Sequence, residues 1–370
     1  MGTPGGSRSA SRRRTVPVMG SPEAADENTA QEVVAAQMAS AASAWLASLD
    51  PAQRGSAQRP GPSSGPAAET ERLRWHYVPT DHGGLPLGIQ RPVQQSLAMA
   101  LVATGLSAAG YVTVCGVMGL ENVLDRAEGF PRGGGDRERY RDPGLYYLRV
   151  FGEPRGAGPW GWRFGGHHVS LNNLVVDGRV RAVTPCFIGA NPAAAPLLGG
   201  GTLRLLGPAE DLARDLVRSL SPALRARAVL HDRAPSDIVS RNRPRLPVAG
   251  EVEAGPDGGR LPLTADPQGL PGAALDDDQR GLLRALLSAY LGRVPDGLAR
   301  PVDVDAVHLA WAGSTDPGRP HYYRLQGPRL LVEWDDTQQG GNHAHSVWRD
   351  PEADFGLDAL ATHRAEHHGG

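Results

Sequence analysis

Two short stretches with paired histidines are the part of the sequence best equipped for chemistry. GGNHAHSVWRD carries His343 and His345 one residue apart, and GGHHVSLN carries His167 and His168 side by side. Imidazole nitrogens bind zinc, iron, manganese and copper. The two stretches therefore predict one divalent metal ion that they hold jointly, and the residue types do not choose among these metals.

The spacing of the histidines suits β-strands. In a strand, His343 and His345 point to the same face about 7 Å apart, so both rings can lean onto one ion. His167 and His168 are adjacent and face opposite ways, which leaves room for one ligand. We favour His168, because it shares a face with the polar Ser170. His167 then either supports a ligand or is a hydrogen-bonded core histidine.

Acidic and basic side chains close to the histidines are the catalytic candidates. Glu333 and Asp335 share one face of LLVEWDDT, just upstream of the HAH stretch. A hairpin would bring one of them beside the histidines as a ligand or general base. Arg349 follows the same stretch, where it forms an ion pair with Asp350 or clamps an anion; we favour the ion pair.

These residues support several functions. The first is a metal-dependent hydrolase in which the ion activates a water molecule for attack on a small-molecule substrate. An oxidoreductase using iron or copper is the second, and we rank it lower because no feature for tuning a redox potential is recognisable. Two non-catalytic readings remain: a metal- or ligand-binding protein, and histidines that are only hydrogen-bonded in a polar core.

Composition excludes several classes of protein. The 370-residue chain has a formal net charge of −2, which favours neither a nucleic acid nor an anionic membrane as a partner. All 38 basic residues are arginine, so Schiff-base and P-loop lysine chemistry are absent. Cys115 and Cys186 lack the spacing of a disulfide framework or thiolate site. No stretch is apolar enough for a signal peptide or a membrane span. We expect a soluble cytoplasmic protein of unknown oligomeric state.

Composition along the chain predicts three parts. Residues 1–27 are poor in apolar side chains and are expected to form a disordered tail. Residues 28–71 are expected to form a helix, opened by a capping box from Thr29 to Glu32, and then a Pro/Gly/Ser-rich linker. Residues 72–370 are expected to form a single domain to which this helix is tethered.

Within that domain, helical and strand-like patterns are segregated. Helical periodicity covers residues 93–111, with Gly110 as a stop, and residues 209–220, and a capping box at Asp276 opens another helix. Strand-like runs fill residues 145–190 and 321–349, with a hairpin signal at Asp177–Gly178. The absence of regular βαβ alternation predicts an α+β fold with a mostly antiparallel sheet and flanking helices.

A weak internal repeat accompanies this pattern. LYYLRVFG…GGHH and HYYRLQGP…GGNHAH each run from a tyrosine pair to a glycine pair, 19 residues apart in the first and 18 in the second. The repeat predicts two related β units. We expect such units to place the two histidine pairs at equivalent corners of the sheet, where they converge.

Four stretches resemble a known family. WGWRFGGHHVSLN, TPCFIGANPA, HYYRLQGPRLLVEWDDTQ and NHAHSVWRDPEADFG are similar to the family called domain of unknown function 3500, and the similarity extends from about Arg72 to His368. The family occurs in bacteria and in eukaryotes and has no assigned activity. The resemblance implies one continuous domain and supplies no reaction. Many relatives carry an export signal, from which this chain departs.

Overall fold

The secondary structure is known from a computed structural model that describes residues 22–62, 64–133, 138–246 and 261–367. The helices in these ranges are α1 (Pro22–Ala47), α2 (Pro51–Ala57), α3 (Pro66–Leu73), α4 (Pro92–Thr104), α5 (Ala108–Ala127), α6 (Gly207–Ser219), α7 (Pro222–Ala228), α8 (Asp277–Leu291) and α9 (Leu357–His367). The strands are β1 (Gln58–Arg59), β2 (Leu85–Pro86), β3 (Tyr147–Phe151), β4 (Trp160–Gly166), β5 (Val169–Val176), β6 (Arg179–Ala182), β7 (Cys186–Ala190), β8 (Ala195–Pro196), β9 (Thr202–Leu203), β10 (Val229–His231), β11 (Leu270–Pro271), β12 (His308–Gly313), β13 (His321–Gly327), β14 (Leu330–Asp336) and β15 (Ala344–Arg349).

One large sheet organises the described residues. It has 13 strands, and its main path is β1-β3-β4-β5-β7-β15-β14-β13-β12-β10, with β2, β6 and β11 attached to β3, β5 and β12. Strands β8 and β9 pair separately. Nearly all neighbours in the large sheet are antiparallel, and helices α1, α4, α5, α6 and α8 contribute to the main hydrophobic core beside it. The predicted α+β fold is confirmed.

The strand order is symmetrical about the β7–β15 pair. The parallel β1–β3 pair at one end matches the parallel β10–β12 pair at the other. The β4–β5 hairpin matches β13–β14, and the short strands β2 and β11 pair antiparallel with β3 and β12. The described part of the large sheet therefore consists of two related β units, but the corresponding strands are not those that the sequence repeat had matched.

The two histidine pairs do not occupy equivalent positions in these units, so that expectation is wrong. His167 and His168 form the turn of the β4–β5 hairpin, whereas Pro328 and Arg329 form the matching turn of β13–β14. Tyr146, used in the sequence comparison, precedes β3, whose counterpart is β12 rather than β13. The histidines nevertheless meet, because β7 and β15 join the two units side by side.

The N-terminal helix is part of the core rather than tethered to it. Met38 and Trp45 of α1 are fully buried in the main hydrophobic cluster, where α1 packs against α4. Helix α1 begins at Pro22, so it runs through the capping box expected at Thr29. The expected linker instead forms α2, β1 and part of α3. Of the expected disordered tail, residues 1–21 lie outside the described residues.

Other local predictions have mixed outcomes. The helix expected over residues 93–111 is two helices, because Ser107 caps a new helix by accepting the Gly110 N–H. Gly110 lies inside α5, where a Cβ would come within 2.2 Å of the Arg293 carbonyl oxygen. The capping box at Asp276 is confirmed. No described helix has the length and apolar character needed to cross a membrane.

Candidate metal centre

Three imidazole rings converge at the junction of the two β units. His168 comes from the β4–β5 turn, His343 directly precedes β15, and His345 is the second residue of β15. The Nε2 atom of His343 lies 2.8 Å from Nε2 of His168 and 3.1 Å from Nε2 of His345. One ligand atom from each residue falls within 4.8 Å of the others. A metal ion bound to all three nitrogens would require small outward movements of the rings, since zinc–nitrogen distances are about 2.0–2.1 Å.

The backbone fixes His168 in this position. Its amide donates to the Tyr77 carbonyl at 2.9 Å, and its carbonyl accepts the Gly189 N–H at 2.8 Å. Gly189 lies opposite His345 in the β7–β15 pair. A Cβ on Gly189 would lie 2.9 Å from Cδ2 of His168. The glycine therefore makes room for the imidazole ring.

A carboxylate holds the outer nitrogen of His345. Oδ1 of Asp237 lies 2.7 Å from Nδ1 of His345, and Oδ2 accepts the Tyr77 hydroxyl at 2.8 Å. A carboxylate in this place fixes the proton on Nδ1, so the Nε2 lone pair faces the centre. The same arrangement commonly supports histidine ligands in metalloproteins.

An amide faces the outer nitrogen of His343. As positioned, Nδ2 of Asn191 lies 3.4 Å from Nδ1 of His343, while the buried Oδ1 has no partner among the described residues. The oxygen and nitrogen of an amide are assigned from their hydrogen bonds. Rotating this amide by half a turn lets Oδ1 accept a hydrogen bond from the Nδ1–H group of His343. That assignment satisfies the oxygen and directs the His343 Nε2 lone pair to the centre.

Burial keeps two of these imidazoles neutral. It lowers the pKa of His343 to about 3, with a further contribution from His345. Burial also lowers the pKa of His168 well below its usual range, assisted by the neighbouring His167. Neutral imidazole is the form that ligates a metal.

Asp335 lies beside this centre, as the hairpin argument predicted. It pairs with His345 across β14 and β15, and Asp237, Asp335 and His345 form a second compact group. Burial raises the pKa of Asp335 well above its usual range, and the nearby Asp237 carboxylate raises it further. The Thr337 hydroxyl lies within hydrogen-bonding distance of both Asp335 oxygens.

Glu333 supports the site from a distance. Its carboxylate accepts the backbone N–H groups of Val239 and Ser240 and the hydroxyl of Tyr322. These bonds anchor the segment that carries Asp237. Glu333 is therefore held in a structural network and is not brought to the three imidazoles.

Arg349 is also held away from the histidines. Its Nε donates to Asp354 at 2.6 Å, and both side chains are buried. The favoured ion pair with Asp350 is not formed: Asp350 is bound by Arg329 instead. Arg349 thus forms an internal ion pair, with a different partner from the one expected.

His167 faces a different partner. Its Nδ1 lies 2.5 Å from Oε1 of Glu121 on α5, and its ring centroid is 3.7 Å from that of His168. Glu121, His167 and His168 form another group with the proximity of metal ligands. This group includes neither His343 nor His345, so His167 packs behind His168 rather than joining the three converging imidazoles.

Comparison with known proteins places the chain in a family. A family model described as "Protein of unknown function (DUF3500)" matches residues 31–357. The chain belongs to the DUF3500 family. The match begins inside α1 and reaches the first residue of α9, so it includes most of the N-terminal helix that the sequence resemblance had left out. No curated protein and no solved structure matches the chain.

A fourth group that contains a histidine in this DUF3500 chain has no ring nitrogen free to bind a metal. Glu210, His321 and Asp336 lie close together. However, Nε2 of His321 accepts the Trp334 N–H at 3.1 Å, and its Nδ1 lies 2.9 Å from the Arg319 carbonyl, to which it donates. Both ring nitrogens are therefore hydrogen-bonded to protein groups. His321 is a hydrogen-bonded core histidine and not a metal ligand.

Sequence reasoning missed three supporting residues of the centre: Asp237, Asn191 and Glu121. Asp237 lies in a Pro- and Gly-rich connection, and Asn191 directly follows β7. Glu121 is on a helix far upstream. None has a companion of suitable spacing in the sequence, so only the folded chain reveals their contacts.

Proposed function

We propose that this protein is a metal-dependent enzyme in which His168, His343 and His345 hold one divalent ion, and that it hydrolyses a small-molecule substrate. The observation that carries this proposal is the convergence of three Nε2 atoms. Two of the three rings have a side chain facing Nδ1, Asp237 behind His345 and Asn191 behind His343. That arrangement points lone pairs, not N–H groups, at a common point.

The number of ligands favours catalysis over a structural role. A structural zinc site is normally closed by four protein ligands, while a catalytic site keeps a position open for water. Three histidines with no carboxylate in the set correspond to the open arrangement. Because imidazole is neutral, the charge of the ion stays uncompensated, and a bound water would have its pKa lowered to around 7.

The protein's own side chains orient the centre. Asp237 keeps the proton of His345 on Nδ1, and Asn191 does the same for His343. Glu333 holds the backbone next to Asp237. The three-histidine set lacks the carboxylate of the facial triad used by many iron oxygenases, which supports hydrolysis over that oxidative alternative.

Elemental analysis tests the metal. Untagged protein is produced in medium containing zinc, iron, manganese and copper, and its metal content is measured by mass spectrometry. We expect about one equivalent in the wild type and a loss of most of it in His343→Ala/His345→Ala. His231→Ala, which removes a histidine outside the cluster, is the control and should keep the metal. Metal-free wild-type protein that is fully folded would overturn the proposal.

A substrate screen then tests the reaction. The metal-loaded protein is incubated with esters, amides and phosphoesters of small molecules. We expect hydrolysis of one class, its loss after chelation, and its recovery when the same metal is restored. If the metal-loaded protein hydrolyses none of these classes, the hydrolase assignment is wrong and the protein is a metal-binding protein without this activity.

A further inference from the structure

The symmetry of the sheet gives the metal centre a counterpart in the other unit. The cross-strand pair Leu171–Cys186 corresponds to Val332–Trp348. In the same register, His345 pairs with Asp335, and the residue that matches Asp335 is Leu174. Leu174 pairs with Ala182, so Ala182 is the counterpart of His345.

The hairpin turns give a second ligand position. His168 and Arg329 are the second residues of the matching hairpin turns, with backbone φ of 64° and 55°. Arg329 and Ala182 therefore stand where the first site has His168 and His345, and neither side chain ligates a metal ion.

Ala182 and Arg329, together with Arg181 beside Ala182, line one cavity of about 400 Å³. Its volume is within the range of small-molecule sites, about 300–1,000 Å³. Apolar side chains form much of its wall: Val183, Leu291, Leu298, Val302, Leu330 and Trp348. A ligand of this cavity needs an apolar body.

The charged groups around the cavity are not equally available. Arg329 is paired with Asp350 and Asp358, at 3.0 Å each. Arg181 and Arg300 are exposed and form no ion pair or hydrogen bond with the described part of the chain. These two guanidinium groups remain to bind an anion.

Two further carboxylates also line the cavity. Asp303 accepts the Asp305 N–H in its own turn, and Glu27 is the second. Neither is within ion-pair distance of Arg181 or Arg300 in the residues that the structure describes. The two arginines are thus not ion-paired with these carboxylates.

We propose that this cavity binds a small amphipathic carboxylate, with its apolar body against Trp348 and its neighbours and its head group held by Arg181 and Arg300. Guanidinium groups match the planar geometry of a carboxylate. The site does not depend on the metal centre, because it contains none of the three histidines.

Calorimetric titration with octanoate tests the proposal. We expect one equivalent to bind. Octanol lacks the charge, and octylammonium reverses it, so both should bind at least roughly tenfold more weakly. Inorganic phosphate, which lacks the apolar body, should give no saturable heat. Equal binding of octanol and octanoate would contradict the role of the arginines.

Variants locate the site. Arg181→Ala/Arg300→Ala should weaken octanoate binding by roughly tenfold or more, while Arg284→Ala, which removes an exposed arginine of α8, should not. The three substituted arginines, Arg181, Arg284 and Arg300, are all exposed, so circular dichroism should confirm an unchanged fold. Octanoate binding that persists in the double variant, or no octanoate binding by the wild type, would overturn the proposal. Metal content should be unaffected in every arginine variant.

Discussion

At the scale of single residues, the metal centre depends on the groups behind the imidazoles. Asp237 and Asn191 face the outer nitrogens of His345 and His343, one as a carboxylate and the other as an amide. Such partners fix the tautomer and orientation of a metal ligand, and they raise metal affinity by about 10–100-fold. Substituting Asp237 or Asn191 should therefore weaken metal binding although the three metal ligands are unchanged.

Asn191 offers a matched pair of substitutions. Asn191→Leu removes the acceptor for Nδ1 of His343 and should weaken zinc affinity by about 10–100-fold. Asn191→Asp keeps an acceptor and should stay within about tenfold of the wild type, because a carboxylate serves the same purpose. Competition with a chromophoric chelator measures both. Wild-type affinity in the leucine variant would show that the amide does not orient His343.

His82 gives a separate prediction about pH. Its side chain is buried, its Nε2 lies 3.0 Å from the Val78 carbonyl, and burial lowers its pKa to about 4 from a usual 6.5. As pH falls from 6.5 to 4, His82 therefore binds a proton in the unfolded chain but stays neutral in the folded chain. Folding stability should be lost over that window, by up to about 3 kcal/mol for this one group.

His82→Gln tests this directly. The glutamine retains a donor near Val78 and does not titrate, so unfolding free energy should decline less steeply between pH 6.5 and 4 than in the wild type. Urea titrations at several pH values, with chelator present in both proteins, measure the difference. Because burial also lowers the pKa of His321 to about 4, some pH dependence should remain. Identical slopes would contradict the assignment.

At the scale of elements, the hairpin turns explain a feature that looks catalytic. His168 has a left-handed backbone, which is uncommon outside glycine and is often a mark of functional strain. Arg329 has the same conformation at the matching turn of the other unit. Both units therefore have this backbone conformation as part of their matching hairpins. It is a feature of the hairpin type, and it also directs His168 into the centre.

Gly189 in β7 controls the space that His168 occupies. In Gly189→Ala, the new Cβ would lie 2.8 Å from the Ala344 carbonyl oxygen and 2.9 Å from His168. We expect a loss of about 1–3 kcal/mol in stability from overpacking, together with weaker metal binding. Denaturant unfolding and a zinc titration measure the two effects.

The control for this substitution is Gly119→Ala on an exposed face of α5. A Cβ there has no neighbour within 4 Å, and alanine favours a helix by about 0.5–1 kcal/mol over glycine. Stability should rise slightly and metal binding should not change. If both variants retain wild-type zinc affinity, Gly189 does not make room for a ligand.

At the scale of the whole molecule, the sequence predicted strands better than their arrangement. Alternation in HAHSVW gave the shared face of His343 and His345, since that pattern is local. The β7–β15 pair joins segments more than 150 residues apart, and no local pattern specifies such a pairing. The same limit explains why Asp237 was missed and why the internal repeat was aligned to the wrong strands.

The metal ligands come from both β units, which gives a prediction for the whole fold. His168 belongs to the first unit, while His343 and His345 belong to the second, so an ion links the units at one end of the β7–β15 pair. An ion that binds only the folded chain adds about 2.7 kcal/mol at 100 times its Kd. With an unfolding entropy of about 2.1 cal/mol/K per residue, this raises Tm by about 3–4 °C.

Thermal unfolding with and without metal checks this link. Wild-type protein should melt at a higher temperature with the metal than with chelator, while His168→Ala, which lacks the ligand from the first unit, should lose most of that difference. His231→Ala should behave as the wild type. A full shift retained in His168→Ala would mean that His343 and His345 bind the ion without the first unit, because the stabilisation follows from binding and not from which strands supply the ligands. The ion would then not join the halves of the sheet.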